Sequence, residues 1–165
     1  MKEDIRKRID LLREKMAERG MDAYLIPTDD FHGSEYVGDY FKCREYMTGF
    51  TGSAGTAVVT MEEAGLWTDG RYFVQARREL AGSGVRLFEM GQEGVPTVSH
   101  YLAKNMPSGG VLGFDGRVVD GRTGEELGHL LEEKKIKLSV NQDLVGQIWE
   151  NRPSLSSGPV WILPE

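Results

Sequence analysis

The chain has 165 residues and a mass of 18.4 kDa, a length typical of a single soluble domain. Its 20 Lys and Arg residues against 26 Asp and Glu give a net charge of −6, which argues against nucleic acid or an anionic membrane as partner, because both require clustered cations. No apolar run approaches the roughly 18 residues that span a bilayer, and the charged N-terminus lacks the apolar segment of a secretory signal. With Cys43 as its single cysteine, the sequence predicts a protein of a reducing compartment, the cytoplasm.

Helical and extended patterns alternate along the chain. Apolar residues recur at helical spacing from Ile5 to Met16, and Gly20 is placed to cap that helix. Short apolar runs predict strands at 23–26, 56–60, 65–68, 85–88, 111–114 and 137–140. Helical spacing predicts further helices at 72–80, 97–105, 125–135 and 144–149. Residues 33–55 are rich in glycine and aromatic side chains and predict irregular structure.

This order of elements indicates an α/β fold with a central sheet flanked by helices. The loop between residues 60 and 65 is short enough for a hairpin, which makes the sheet mixed rather than all parallel. After Arg152 the composition changes to a Pro/Ser/Gly stretch that is typical of a linker. We therefore expect one domain at residues 1–153, with 154–165 forming a linker and the start of a next, truncated domain.

A self-sufficient metal or nucleophile site is not evident from the residues alone. The aspartates Asp29, Asp69 and Asp115 each follow an apolar strand, so they could converge around Mg²⁺, but turn formation and helix capping are the interpretation we favour. Cys43 lies between two cationic residues that could lower its thiol pKa, yet the sequence places no histidine beside it. The glycine-rich segment 49–56 lacks the lysine of a phosphate-binding loop and leads into a strand, which favours a structural role.

Three segments together resemble the N-terminal domain of Xaa-Pro aminopeptidases (aminopeptidase P) of the creatinase/prolidase superfamily: His32–Tyr36, Gly49–Ala57 and Leu66–Phe73. The segment Ile148–Pro153 is similar to the one that closes this domain in three-domain members of the family. The resemblance implies a ribonuclease H-like topology for this chain. It also implies a parent enzyme whose later C-terminal domain holds two divalent metal ions, usually Mn²⁺, on two Asp, one His and two Glu.

The resemblance further implies what such a parent does and with what. It would release an N-terminal residue that precedes proline, while this first domain would contribute to homo-oligomer assembly and cover the entrance to the metal site. None of the metal ligands falls in this chain, so the resemblance implies that the chain alone is catalytically inactive and holds neither metal nor cofactor. Its expected partners are a peptide with proline in second position and its own downstream domains.

Two residues become substrate-binding candidates through this resemblance. In the family the arginine of the Trp-Thr-Asp-Gly-Arg motif approaches the peptide, which here is Arg71, and a guanidinium suits carboxylate or carbonyl oxygens. His32, in the loop after the first strand, is the second candidate; the alternative is that both residues are solvated or structural. Several aromatic residues could form a platform for other domains, although we favour their covering the domain's own sheet: Tyr36, Tyr40, Tyr46 and Phe50.

Two different functions remain as alternatives. One is a stand-alone binding or scaffolding module without peptidase domains. The other is a small Mg²⁺-dependent hydrolase that uses the three strand-terminal aspartates named above.

Overall fold

The fold is built from six strands and six helices in a computed structural model that describes residues 2–159 and Ile162. The strands are β1 Ala23–Ile26, β2 Thr56–Thr60, β3 Ala64–Thr68, β4 Val85–Glu89, β5 Val111–Gly113 and β6 Lys137–Ser139. The helices are α1 Lys2–Glu18, α2 Cys43–Thr48, α3 Phe73–Leu80, α4 Val98–Asn105, α5 Gly121–Glu132 and α6 Leu144–Ile148. Single 3₁₀ turns occur at Asp39–Phe41 and Gly116–Val118.

All six strands form one mixed sheet in the order β4-β3-β2-β1-β5-β6. The predicted β2–β3 hairpin is present, and β1 pairs with β2 in the antiparallel sense, with Tyr24 opposite Val59. The pairs β3–β4, β1–β5 and β5–β6 are parallel; α3 connects β3 to β4, and α5 connects β5 to β6. The expected α/β fold with a mixed central sheet is therefore confirmed.

The helices cover both faces of the sheet, because the central strands are apolar on both sides. In β1, Tyr24 and Ile26 join the apolar cluster beneath α1, α2, α3 and α6, whereas Ala23 and Leu25 join the cluster beneath α4 and α5. This alternation follows from the period of two along a strand. The predicted stripe of α1 is buried as expected, with Leu12 at 0% exposure.

Two helices differ from the sequence prediction. The segment predicted as irregular contains α2, whose inward face carries a charged residue, Arg44, that is only 3% exposed. Helix α5 begins four residues earlier than predicted, because the side chain of Asp120 accepts a hydrogen bond from the Thr123 backbone N–H at 3.0 Å and caps the helix. Glycines in the first turns of α5 had concealed that start.

The segment that leaves the sheet after α6 is fixed by aromatic and ionic contacts. The ring of Trp149 stacks on Tyr46 at a centroid distance of 4.4 Å. Nε of Arg152 donates to the Tyr40 carbonyl at 2.9 Å, its guanidinium lies 3.7 Å from the centre of the Tyr40 ring, and Nη1 contacts Asp143 at 2.6 Å. Arg152 is therefore tied to two other parts of the fold.

The four aromatic residues considered above have different environments. Phe50 is fully buried in the core, and Tyr46 packs partly buried against the same cluster. Tyr36, by contrast, is 74% exposed. The proposed domain boundary near residue 153 stays a prediction, and Val160, Trp161 and 163–165 of the expected next segment lie outside the described residues. Among the described helices, none has the length and apolar character needed to cross a membrane.

Candidate functional site

Three loops meet at one edge of the sheet. Because β1 and β3 are both antiparallel to β2, they run in the same direction, and their carboxyl ends lie about 10 Å apart with the start of β2 between them. We define the rim as residues 28–36 after β1, 50–55 before β2 and 69–72 after β3. The fold thus places both predicted substrate-binding residues, His32 and Arg71, on this rim.

Arg71 is held in a defined orientation by Asp69. Its Nε donates to Asp69 Oδ1 and its Nη2 to Asp69 Oδ2, both at 2.9 Å, while its backbone N–H donates to Oδ1 at 3.0 Å. The Arg71 side chain is nevertheless 67% exposed. A guanidinium has five N–H donors and Asp69 occupies two of them, so the remaining face of Arg71 is available for a ligand.

The charges on this turn are fixed at neutral pH. The Arg71 guanidinium holds the pKa of the Asp69 carboxyl below its ordinary value, chiefly through the side-chain hydrogen bonds. In return, Asp69 and, at longer range, Glu35 raise the pKa of Arg71. Glu35 belongs to the β1 part of the rim, so the electrostatic environment of Arg71 includes both outer loops.

His32 sits in a loop that Asp30 organises. Asp30 Oδ1 accepts the backbone N–H of His32 at 2.8 Å and that of Ser34 at 3.1 Å, and the hydroxyl and N–H donors of Ser34 and His32 lower the pKa of the Asp30 carboxyl. The His32 side chain itself is 82% exposed, with Nδ1 4.0 Å from Asp30 Oδ1. Asp30 is not among the residues predicted from the sequence, although an aspartate followed by a glycine-containing polar turn is the usual signal for such a loop.

The glycine-rich loop joins the two outer parts of the rim. Ser53 Oγ lies 2.6 Å from the hydroxyl of Tyr72, the residue next to Arg71. A Cβ on Gly52 would overlap Cζ of Phe50 and lie 2.8 Å from Cδ1 of Tyr72. The predicted structural role of these glycines is therefore a close approach of backbone to aromatic rings.

A cleft of about 580 Å³ opens beside the rim, toward the first turns of α4 and α5. Its polar lining comes from rim residues that include Asp29, Glu35 and Ser53, together with Thr97 and Asp120 at the two helix starts. Neither Arg71 nor His32 belongs to the lining. The two candidate residues therefore border the cleft's loops without forming its walls.

A second Asp-Gly-Arg turn follows β5. Arg117 donates from its backbone, Nε and Nη2 to Asp115 at 3.1, 2.9 and 2.8 Å, the arrangement seen at Arg71. In addition, Arg117 Nη2 reaches Asp143 at 3.1 Å, and the guanidinium lies 5.2 Å from the centre of the Phe31 ring. This second arginine therefore links two carboxylates and the rim loop after β1.

The alternative magnesium site is wrong for the described part of the chain. Asp69 and Asp115 are each occupied by an arginine, and no group of three or more His, Cys, Asp or Glu side chains among residues 2–159 and 162 is arranged to hold a metal ion. The suggested activation of Cys43 is also wrong. Burial raises the pKa of the thiol to about 12, although Arg152 Nη2 donates to its sulfur at 3.2 Å.

The chain belongs to the creatinase/prolidase N-terminal domain family, whose model matches residues 8–142. Among curated proteins it is 43% identical over 146 residues to Aminopeptidase P2 of Arabidopsis thaliana, covering 87% of this chain and 20% of that protein. It is also 37% identical over 153 residues to the Xaa-Pro aminopeptidase ApepP of Drosophila melanogaster, covering 91% of this chain and 25% of that protein. The chain thus spans about a quarter or less of the length of these relatives.

Solved structures show the same fold. A Caenorhabditis elegans X-prolyl aminopeptidase, described as a cytosolic enzyme with a di-nuclear active site, matches with a TM-score of 0.84 and 34% identity, over 92% of this chain and 26% of that one. The N-terminal domain of the cytoplasmic peptidase PepQ from Mycobacterium tuberculosis matches with a TM-score of 0.61 and 29% identity, over 86% of this chain and 98% of that domain. The PepQ domain is therefore similar in length to this chain.

Proposed function

We propose that this chain is the non-catalytic N-terminal part of a cytoplasmic, metal-dependent Xaa-Pro aminopeptidase, with its domain boundary near residue 153. The parent releases the N-terminal residue that precedes proline. Within that parent the rim shapes the entrance for the peptide, Arg71 contacts the substrate, and the domain contributes to a homo-oligomer. Support comes from relatives named as aminopeptidases, which this chain matches along a quarter or less of their length.

The observation that carries the proposal is the state of Arg71. It is exposed, it is oriented by the two hydrogen bonds that its guanidinium donates to Asp69, and it lies at the end of β3 beside a tightly packed loop. An oriented guanidinium binds a carboxylate or a peptide carbonyl with a smaller loss of side-chain entropy than a free one. His32, more exposed and held only through its backbone, is proposed as a secondary contact on the same rim.

The metal chemistry of the proposed parent finds no fitting donor set in the described residues. Asp29 and Asp30 of the rim accept backbone N–H groups and Asp69 pairs with Arg71, and no group of three or more His, Cys, Asp or Glu side chains in the described part of the chain is arranged to hold a metal ion. In our proposal the two divalent ions, Mn²⁺ by family resemblance, would be held by other polypeptide of the parent, where they would supply Lewis-acid chemistry. This chain then binds and orients the peptide and takes no proton from it.

The substrate role is tested by Arg71→Ala in the full-length aminopeptidase. We expect a higher KM or a lower kcat/KM for Xaa-Pro peptides, with a loss of about tenfold, in the range of one charge-assisted hydrogen bond. Arg122→Ala is the matched control, because Arg122 also follows an Asp-Gly pair, but its side chain is 88% exposed and pairs with Glu126, outside the rim. If Arg71→Ala and Arg122→Ala both leave KM and kcat/KM unchanged, Arg71 is structural.

The inactive state of the isolated chain has its own test. The purified 165-residue chain, supplied with Mn²⁺ and an Xaa-Pro peptide, should release no amino acid. Metal-dependent hydrolysis that co-purifies with the chain and survives removal of contaminating peptidases would contradict the proposal. The oligomer is tested by sedimentation of the full-length enzyme, where a monomer at all concentrations would remove assembly from the proposed roles.

A further inference from the structure

Arg44 is the charged residue that the core encloses most completely on this side of the sheet. It lies on α2 at 3% exposure, and burial lowers its pKa to about 10, so it stays protonated at neutral pH. Its three hydrogen-bond acceptors are uncharged: Nε donates to Thr28 Oγ1 at 2.9 Å, Nη1 to the Phe50 carbonyl and Nη2 to the Gly52 carbonyl. A buried guanidinium directed at backbone carbonyls fixes the position of that backbone.

The acceptors of Arg44 belong to two parts of the rim. Thr28 lies two residues after β1, at the start of the rim, and also donates to the Gly55 carbonyl at 2.6 Å. Phe50 and Gly52 stand at either side of Thr51 in the glycine-rich loop. A single side chain thus joins the loop after β1 to the loop before β2, and it does so with the planar, forked donor set that lysine lacks.

The opposite side of the glycine-rich loop is attached to the segment that carries Arg71. Ser53 Oγ pairs with the Tyr72 hydroxyl at 2.6 Å, and Glu79 of α3 accepts the Thr51 backbone N–H at 2.8 Å. The Tyr72 ring in turn lies 5.3 Å from the Arg71 guanidinium. Because even a Cβ on Gly52 would overlap Phe50 and lie 2.8 Å from Tyr72, there is little free space between this loop and the two rings, and a displacement of the loop is transmitted to Tyr72.

We propose that Arg44 is a positioning residue for Arg71, acting through the loop Phe50–Ser53 and the Ser53–Tyr72 hydrogen bond. The catalytic use of this arrangement rests on the proposed function, in which Arg71 contacts the peptide. The positioning itself is a property of this chain and is measured separately. Arg44 touches no substrate in this proposal.

The first experiment measures the connection within the chain. Hydrogen exchange followed by mass spectrometry compares wild type with Arg44→Lys, which keeps the charge but cannot fill three acceptors in one plane. We expect faster exchange at amides 50–53 and also at 69–72. The matched control is Arg8→Lys, because Arg8 is a partly buried arginine that donates to the Tyr46 carbonyl at 2.7 Å and lies 4.0 Å from the Tyr46 ring without contacting the rim.

Unchanged exchange at 69–72 in Arg44→Lys would overturn the proposal, as would the same change in Arg8→Lys. If Arg44→Lys does not fold, Ser53→Ala takes its place, since it removes the link to Tyr72 and leaves the buried guanidinium intact. Ser53→Ala should then accelerate exchange at 69–72 with little effect on the rest of the sheet. No effect of Ser53→Ala at 69–72 would equally overturn the proposal.

The second experiment is a double-mutant cycle in the full-length aminopeptidase. Arg44→Lys should lower kcat/KM by about tenfold when Arg71 is present and should cost little more in the Arg71→Ala background, because neighbouring residues that act as a unit are non-additive. Equal losses in both backgrounds would mark Arg44 as merely structural and overturn the proposal. If Arg71→Ala alone changes nothing, the proposed function fails, and the exchange at 69–72 alone decides whether Arg44 positions the turn.

Discussion

Arg71 and Arg117 occupy the same position in two Asp-Gly-Arg turns, yet only Arg117 also contacts a second carboxylate, that of Asp143 at 3.1 Å. Both arginines donate hydrogen bonds from Nε and Nη2 to the aspartate of their turn. The local sequence therefore produces the turn, and the neighbouring residues determine whether its arginine makes further contacts. At β5 the arginine is part of a network, whereas at β3 it keeps unused donors toward solvent.

Asp69→Asn should weaken substrate binding without weakening the fold. The amide loses the charge and one of the acceptors that orient Arg71, so kcat/KM of the full-length enzyme should fall by roughly fivefold or less, the range of an exposed ion pair. The free energy of unfolding of the chain, measured in urea, should change by less than about 0.5 kcal/mol. A loss of stability above about 1 kcal/mol would instead assign Asp69 to support of the fold.

Arg152→Met should destabilise the fold, because Asp143 and the Tyr40 carbonyl lose a partly buried cationic donor. The Arg152 side chain is 11% exposed, and we expect a loss of about 2 kcal/mol in the free energy of unfolding. Arg122→Met, at an exposed ion pair, should change it by less than about 0.5 kcal/mol. Equal urea midpoints for the two variants would show that the contacts of Arg152 are energetically neutral.

Cys43 should resist alkylation in the folded chain. Burial raises its thiol pKa to about 12 from an ordinary value of 9.0, so the thiolate that reacts is scarce at pH 8. Iodoacetamide should therefore modify the folded chain at least about tenfold more slowly than the chain unfolded in urea. Similar rates in the two states, followed by mass spectrometry, would contradict the packing around this sulfur.

Two glycine-to-alanine changes should have opposite signs. In Gly65→Ala the new Cβ would lie 2.7 Å from Phe88 and 2.8 Å from Trp67, whose rings already stack at 3.9 Å, so we expect a loss of about 2 kcal/mol. In Gly124→Ala, inside α5, the new Cβ meets nothing within 4 Å, and helix propensity should add about 1 kcal/mol. The measurement is the Tm of both variants in thermal unfolding. Shifts of Tm in the same direction would contradict one of the two predicted environments.

The apolar pattern was sufficient to predict most of the layers. The stripe of α1 and the β2–β3 hairpin follow from spacing and loop length, and both are present. The pattern failed at α2, whose buried side includes Arg44, because a periodicity that counts apolar residues cannot recognise a charged residue that faces inward. It failed again at the start of α5, where a side-chain cap rather than an apolar residue begins the helix.

The candidate site divides in a similar way. Family resemblance directed attention to Arg71 and His32, and the parallel directions of β1 and β3 explain why both lie on one edge. Hydrogen bonds between distant segments were beyond the sequence, since nothing in the spacing of Arg44, Ser53 and Tyr72 indicates that they are connected. The same holds for the difference between Arg71 and Arg117, which depends on Asp143, a residue 26 positions from Arg117.

The stacking of Trp149 on Tyr46, together with the attachment of Arg152 to Tyr40 and Asp143, makes the polypeptide leave the sheet from an anchored origin. Pro153, which comes next, restricts its own backbone and that of the residue before it. The direction in which the polypeptide leaves the sheet is therefore set by these contacts and by the restricted backbone at Pro153. Tyr40 belongs to the connection between β1 and α2, which also carries the rim residues after β1. A displacement of the polypeptide at Arg152 would therefore be transmitted through Tyr40 to the segment that carries the rim.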